Sequence, residues 1–361
     1  MKKKKVAVAM SGGVDSSVAA CLLKEEGREV IGFTMKTYSP TDGSGRSRPV
    51  PTLNEKAIED AAAVAHMIGI EHFVVDVERE FKKHVLDNFC SEYLKGRTPN
   101  PCVVCNENVK FGVLFKEAIK HNAMLATGHY VKIEHCDTTD TFFLKRGVDR
   151  EKDQSYMLYR LDQERMSRLI MPMGSLLKDD VRRMARERKL PIAERLESQD
   201  ICFAEAKEYM RFKNEVVPQR TKPGVIKNSK GEILGTHKGI TNYTIGQRRG
   251  LGIAAPEPLY VIRIDIDTNE IIVGYKDECF KRELIADNVH FMSGKPPAGS
   301  FQAKAKIRYL HEEADAIVDQ REDNKILVRF FEPQKAITPG QSVVFYDGDT
   351  VLGGGVIEKS L

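Results

Sequence analysis

Lys5-Val6-Ala7-Val8-Ala9-Met10-Ser11-Gly12-Gly13-Val14-Asp15-Ser16-Ser17 reads as one unit: an apolar run of strand length, a Gly-Gly turn, and the start of a helical pattern that continues to Glu26. Two glycines let the backbone turn tightly and present bare N–H groups. The serines and the following helix N-terminus add donors and a positive dipole, so the turn is an anion cradle suited to a phosphate. It lacks the Gly-Lys-Ser/Thr ending of a P-loop and the three-glycine spacing of a dinucleotide fold, which disfavours both.

Outward from this unit the pattern alternates. Glu29 to Met35, Glu71 to Val77 and Met124 to Thr127 are strand-like, while Glu55 to Ile68, a stretch through Phe89 and Leu94, and Val109 to Lys120 are helical. Short apolar runs separated by helices predict a parallel sheet covered on both faces. Ligands of such sheets sit beyond the carboxyl ends of the strands, where Ser11 and Gly128 fall. Tyr38 to Thr52, rich in Gly, Ser, Pro and Thr, is too long for an idle connection and is expected to be a lid or a mobile surface loop. Helical patterning is expected to continue to about Arg211. After that, Pro218, Pro223 and a series of glycines from Gly224 to Gly252 punctuate short strands. From about Leu284, Gln302 to Tyr309, Ala316 to Asp319, Lys325 to Phe330, Ser342 to Tyr346 and Val351 to Glu358 predict a small sandwich or barrel, taken as a barrel. The expected fold is therefore α/β: an N-terminal parallel-sheet domain over 1–207, a small β-rich central domain over 208–282, and a C-terminal β-barrel over 283–361.

The net charge of +4 is weakly basic and admits a polyanionic partner only where cations cluster. The start lacks the apolar core of a secretory signal, and no apolar stretch approaches the ~20 residues of a membrane span, so a cytoplasmic protein with no membrane partner is expected. Seven cysteines do not form a secreted disulfide framework. Cys21, Cys90, Cys136 and Cys279 lie outside any motif and are expected to be buried or incidental. Cys102 and Cys105, in Pro101-Cys102-Val103-Val104-Cys105-Asn106, and Cys202, in Gln199-Asp200-Ile201-Cys202-Phe203, are the candidates for chemistry. A Cys-x-x-Cys is a redox pair, half of a zinc site, or a pair of cluster ligands. No second pair completes a four-cysteine zinc site, and His129 is the residue that could make it three cysteines and a histidine. The cysteines are expected in loops at the ligand-binding edge of the sheet.

The turn at Ser11 resembles that of the PP-loop ATP pyrophosphatases (adenine nucleotide α-hydrolase-like domains), which cleave ATP between the α and β phosphates. That resemblance implies an ATP site built from Ala9, Met10, Ser11, Gly12, Gly13, Val14, Asp15 and Ser16. Asp15 would help hold Mg²⁺, Met35 would lie by the adenine, and Gly128 would close the pocket. Seven further motifs extend it: Gly96-Arg97-Thr98-Pro99-Asn100-Pro101, Cys105-Asn106, Thr127-Gly128-His129-Tyr130, Lys152-Asp153-Gln154-Ser155-Tyr156, Ile201-Cys202-Phe203, Gly246-Gln247-Arg248-Arg249-Gly250-Leu251-Gly252 and Pro339-Gly340-Gln341. In order and over nearly the whole chain, these resemble the bacterial tRNA-uridine 2-sulfurtransferases.

The resemblance implies ATP-dependent 2-thiolation of the wobble uridine in a tRNA anticodon stem-loop, with sulfur supplied by a cysteine desulfurase, a relay protein or free sulfide. Cys202 would carry a persulfide and Cys105 act as nucleophile. Many members have Asp where this chain has Cys102, and a thiol has a higher reference pKa than the carboxylate it replaces. Cys102, Cys105 and Cys202 are also the ligands that an iron–sulfur cluster with an open iron would use, so the cluster route stands beside the persulfide route. Asn100, Pro101 and Cys102 would flank the target base. Lys152, Asp153, Gln154, His129, Arg308, Tyr309 and Gln341 would contact tRNA. From the residues alone, Lys178, Arg182, Arg183, Arg186, Arg188 and Lys189 on one helix, with Arg248 and Arg249 in a glycine-rich turn, suit phosphate contacts. A solvated helix face offset by Asp179, Asp180 and Glu187 is the alternative.

Overall fold

The computed structural model describes residues 4–37, 53–195 and 222–361. The expected 38–52 lid, Cys202 and the division at 207/208 lie outside the described residues.

Val6–Ala9 forms β1, and its residues alternate between two cores. Ala7 joins Phe33, Phe111 and Leu125 on one face of the sheet, while Val6 and Val8 join Val18, Val64 and Val181 on the other. A strand buried on both faces must be apolar throughout, which is why the run is unbroken. Helix α1 (Val14–Glu25) follows the turn, then β2 (Val30–Lys36), helix α2 (Leu53–Ile68) and β3 (Glu71–Asp76). Two helical runs come next, α3 over 78–94 and α4 over 101–120, each interrupted by a π-helical stretch, Lys82–Leu86 and Asn106–Leu114. β4 (Met124–Thr127) returns to the sheet. Among the described residues the sheet order is β3-β2-β1-β4-β7, all parallel, with β7 at Leu169–Ile170. The chain leaves β1 in one direction for β2 and β3 and then crosses to the other side for β4. The β1/β4 boundary is therefore the topological switch point, and Ala9 is in register with Thr127 there.

Two expectations are corrected. The cysteines Cys102 and Cys105 are not in a loop, because α4 begins at Pro101: proline in the first helical position has no N–H to lose and a preset φ, and it keeps Asn100 non-helical. Nor is the chain helical directly after β4. Val131–Cys136 and Thr141–Arg146 form an antiparallel hairpin, β5 and β6. A turn with Asp140 at φ +50° joins them, a conformation that Asp tolerates better than most residues. Helix α5 (Lys178–Glu187) packs on α1.

The central unit is a four-stranded sheet ordered β10-β11-β8-β9, from β8 (Gly224–Asn228), β9 (Ile233–His237), β10 (Tyr260–Asp265) and β11 (Glu270–Gly274). The last unit comprises β12 (Phe280–Phe291), β13 (Phe301–Lys306), β14 (Ala314–Gln320), β15 (Ile326–Lys335), β16 (Ser342–Asp347) and β17 (Thr350–Ser360). β12 pairs with both β15 and β17, closing six strands into a barrel and leaving no open edge among them. The 282/283 division falls within β12. Hairpin β5–β6 attaches to β17 at Lys145 and Thr350, and Arg150 donates to Asp349, so the N-terminal unit and the barrel share a seam. No helix among the described residues is long and apolar enough to cross a membrane.

Candidate active site

The turn after β1 is stitched by its own serines. Ser11 N–H donates to Ser16 Oγ at 3.1 Å, and the hydroxyls of Ser16 and Ser17 both donate to Gly13 O, at 3.2 Å and 2.9 Å. Gly12 sits at φ +69°, and a Cβ there would lie 2.5 Å from Ala57 O of α2, so both conformation and space demand glycine. Arg195 donates to Gly12 O at 2.9 Å while pairing with Asp60 of α2. No side chain caps α1 among the described residues. Its first-turn N–H groups, which have no intrahelical partners, are therefore available to an anion at the switch point. Ala9, Met10, Ser11, Gly12, Gly13, Val14, Asp15 and Ser16 are contiguous there. Gly128, at the end of β4, completes the wall: a Cβ on it would stand 2.8 Å from Ser16 N and 2.9 Å from the Asp15 carbonyl carbon. Met35 is the penultimate residue of β2, and its carbonyl accepts from Asn54 of α2 at 3.1 Å.

Asp15 is not bare. Lys178 Nζ lies 2.6 Å from its Oδ1 and 2.8 Å from its Oδ2, and the Tyr130 hydroxyl donates to Oδ1 at 2.7 Å. Lys178 therefore does not belong to an RNA-facing surface, as its helix pattern suggested; its relative exposure is 7% and it points into the nucleotide turn. The rest of that basic run is largely matched by carboxylates. Arg183 pairs with Asp180 at 2.8 Å, Arg186 with Glu194 at 2.9 Å and Arg188 with Glu25 at 2.7 Å. This is the solvated-face alternative for those arginines. Arg248 and Arg249 are exposed.

Cys102 and Cys105 are one turn apart on α4 but differ in setting. Cys105 is buried among Val77, Phe81, Val85, Leu86 and Val109, in a cluster against which Met35 and Val75 pack, so it sits at the carboxyl ends of β2 and β3. Cys102 is exposed, yet surrounding protein raises its thiol pKa, with the Lys110 ammonium offsetting part of the rise. The shift favours the neutral thiol over the thiolate, where a carboxylate would be charged. Among the described residues no group of three or more His, Cys, Asp or Glu is placed to hold a metal ion. Of the remaining cysteines Cys21 and Cys279 are buried, and Cys90 and Cys136 half-buried. Cys136, at the end of β5, has its thiol brought down to about 7 by hydrogen bonding from Thr138 and Thr139.

The segment leading into α4 is held by the barrel. Gln341 Nε2 donates to Thr98 O at 3.0 Å and Pro99 O at 3.1 Å, and Thr98 N–H donates to Pro339 O at 2.9 Å. Gly340, at φ +89°, allows the approach, since a Cβ would lie 2.7 Å from Thr98 O. The expected tRNA residues thus divide by setting. Asn100 is half-buried and Pro101 buried beside exposed Cys102. Asp153 is buried, accepting from Gly147 N, Ser155 N and Ser155 Oγ. Gln154 Oε1 accepts from Tyr130 N at 3.1 Å. His129 is buried against Phe111 with Nδ1 2.6 Å from Thr127 Oγ1, and burial holds its pKa well below the ordinary value. Lys152 is half-buried, as are Arg308 and Tyr309 on the barrel. The roles of Lys178 and Arg195 were missed; neither carries a local sequence signal, because each reaches the turn only through the tertiary fold.

Residues 4–206 match the family described as the tRNA methyl transferase HUP domain, 211–275 the tRNA methyl transferase PRC-barrel domain, and 281–357 the aminomethyltransferase beta-barrel domain. The chain is 46% identical over 358 residues to tRNA-specific 2-thiouridylase MnmA 2 of Thermoanaerobacter sp. strain X514, spanning 99% of this chain and 98% of that one. It is 48% identical, over the same shares, to tRNA-specific 2-thiouridylase MnmA 1 of Caldanaerobacter subterraneus subsp. tengcongensis. To tRNA-specific 2-thiouridylase MnmA of Acetivibrio thermocellus it is 45% identical across 99% and 100% of the two lengths. With that identity carried across all three units, the chain belongs to the tRNA-specific 2-thiouridylase family.

Proposed function

We propose that this chain uses ATP to adenylate the 2-oxygen of the wobble uridine of a tRNA, releasing pyrophosphate, and then replaces that oxygen with sulfur, releasing AMP and leaving 2-thiouridine. One observation carries the reading: the cysteine helix α4 packs Cys105 against the ends of β2 and β3, on the same carboxyl edge of the sheet as the Ser11–Ser16 anion cradle. A carbonyl oxygen of uracil is a poor leaving group. Its attack on the α-phosphate converts it to one, after which a thiolate or persulfide sulfur can displace AMP at C2.

In this reading the α1 N–H groups bind phosphate, and Met35 borders the adenine. Mg²⁺ bound with the nucleotide would supply charge for the departing pyrophosphate, and Asp15, whose two oxygens already meet Lys178, would hold it only by sharing them with that ammonium. Cys202 carries the persulfide, its outer sulfur received from the persulfide of a desulfurase or relay protein. The Cys105 thiolate attacks the inner sulfur, expelling hydrosulfide, which displaces AMP at C2. The two cysteines are left as a disulfide that an external thiol reduces before the next turnover, whereas free sulfide would serve only the cluster route. Asn100 and Cys102 flank the base, which must leave its stack to reach the cradle. Lys152, Arg308 and Tyr309 grip the RNA. The setting is cytoplasmic.

The test is transfer of labelled sulfur to unmodified tRNA with Mg²⁺-ATP under argon, using protein of known iron content. Cys105→Ser and Cys202→Ser should abolish thiolation while tRNA-dependent pyrophosphate release persists. Retained thiolation in both variants would remove these cysteines from the sulfur path, and ATP-dependent turnover with no sulfur incorporated even by the unsubstituted protein would mean a different adenylating ligase. Activity that tracks iron would assign Cys102, Cys105 and Cys202 to a cluster instead.

A further inference from the structure

Lys178 opens α5, and its helix neighbours behave differently from it. Arg183 and Arg186 keep more than half of their side-chain surface exposed, at 64% and 56%, while that of Lys178 is 9% exposed. Burial of an ammonium is costly unless it is paired with good geometry. Here both carboxylate oxygens of Asp15 receive it, its Nζ lies 5.7 Å from the centre of the Tyr130 ring, and Tyr130 itself donates to Asp15. The backbone is fixed as well, because Lys178 N–H donates to Asp149 Oδ2 at 2.8 Å. Asp15 belongs to the first turn of α1, whose N–H groups form the anion cradle. A bare carboxylate there would repel a polyphosphate. Paired with Lys178, it does not.

We propose that Lys178 is a positioning residue of the nucleotide site, acting through Asp15: it cancels the carboxylate's charge towards incoming phosphates and holds its oxygens in register with the α1 N-terminus. This rests on the ATP reading above. It also removes Lys178 from the RNA-binding surface, which gives the two roles opposite signatures.

The experiment measures binding of a non-cleavable Mg²⁺-ATP analogue and, separately, of tRNA across a salt series, for the full chain, Lys178→Met, Asp15→Asn and the double variant. Tyr130→Phe, which keeps the ring and loses the hydroxyl, serves as a milder probe should Lys178→Met fold poorly. Lys178→Met should weaken the nucleotide about tenfold, the size of one charge-assisted contact, with tRNA affinity and its salt slope unchanged. In the Asp15→Asn background the same substitution should change nucleotide affinity less than about twofold, since the partner through which it acts is gone. Tyr130→Phe should show a smaller loss with the same dependence on Asp15. Additive losses in the double variant, or a lowered tRNA salt slope with nucleotide binding intact, would overturn the proposal. Failure of the unsubstituted protein to bind the analogue would overturn the ATP reading itself.

Discussion

Gly128→Ala tests the switch-point geometry without touching a polar group. Glycine is needed there for space: the added Cβ would lie 2.8 Å from Ser16 N, 2.9 Å from the Asp15 carbonyl carbon and 3.1 Å from Asp15 Cβ. The two closest are backbone atoms of the first turn of α1, which cannot rotate aside. Ordinary contact begins near 3.4 Å, so the end of β4 and the start of α1 must part by about 0.6 Å. Overpacking of this kind costs roughly 1–3 kcal/mol, which in a domain of ~150–250 residues lowers the unfolding midpoint by about 2–4 °C per kcal/mol. The functional cost should be larger in proportion, because a shift approaching ~1 Å at a positioned group costs up to ~10²-fold in rate. We expect kcat/KM for ATP in tRNA-dependent pyrophosphate release to fall roughly 10- to 100-fold. Gly235→Ala is the matched control; its Cβ would meet only a side-chain carbon of Ile253, at 3.6 Å, and should change neither quantity. A Gly128→Ala protein that unfolds at the wild-type temperature and releases pyrophosphate at the wild-type rate would refute the assignment of this turn as the nucleotide cradle.

The tie between barrel and cysteine helix predicts that Gln341→Met, which keeps the side chain's length and loses its donor, costs about 1–2 kcal/mol in urea unfolding, because the Thr98 and Pro99 carbonyls lose their shared donor. Unchanged stability with weakened tRNA binding would return Gln341 to a purely RNA-facing role. His129 predicts a pH dependence. Burial depresses its folded pKa below the ~6.5 of an unfolded histidine, so below that pH the unfolded chain binds the extra proton. Its contribution is full above ~6.5 and declines as pH falls, at up to ~1.4 kcal/mol per pH unit for this group. His129→Asn should therefore flatten the fall in urea midpoint between about pH 7 and pH 5. An unaltered slope would show that other histidines carry it; His72, His237 and His311, whose pKa values are also depressed by burial, are the candidates.

The sequence carried what is local. The apolar run at Val6, the Gly12-Gly13 turn and the strand-helix alternation each express a constraint that lies within a few residues, so the parallel sheet and the cradle were readable before any coordinate. Pro101 marks a helix start in the same local way, but it stands before Cys-x-x-Cys, a spacing that metal and redox sites in loops share with one turn of helix. The hairpin at Val131 was missed because Ile133 and Phe142 to Leu144 fit a helical or a strand period about equally well in so short a stretch. Its partner strand, β17, lies some two hundred residues away and leaves no trace in the local pattern.

Lys178 shows where such reading stops. On a helical wheel it is one more cation beside Arg182 and Arg186, and composition assigns all of them to a polyanion. What separates them is which charge faces each one across the fold, and that is decided by the packing of α5 on α1, not by the helix itself. The same argument explains Gln341 and Asp153. Their side chains are polar and motif-bearing, hence they suit an RNA contact from sequence, yet the geometry spends Asp153 entirely on neighbouring N–H and O–H groups and Gln341 on the strand of chain that leads to Cys102. In the proposed reading a motif can therefore bear on tRNA handling through such contacts, because moving the residues around Asn100 would move the place assigned to the base.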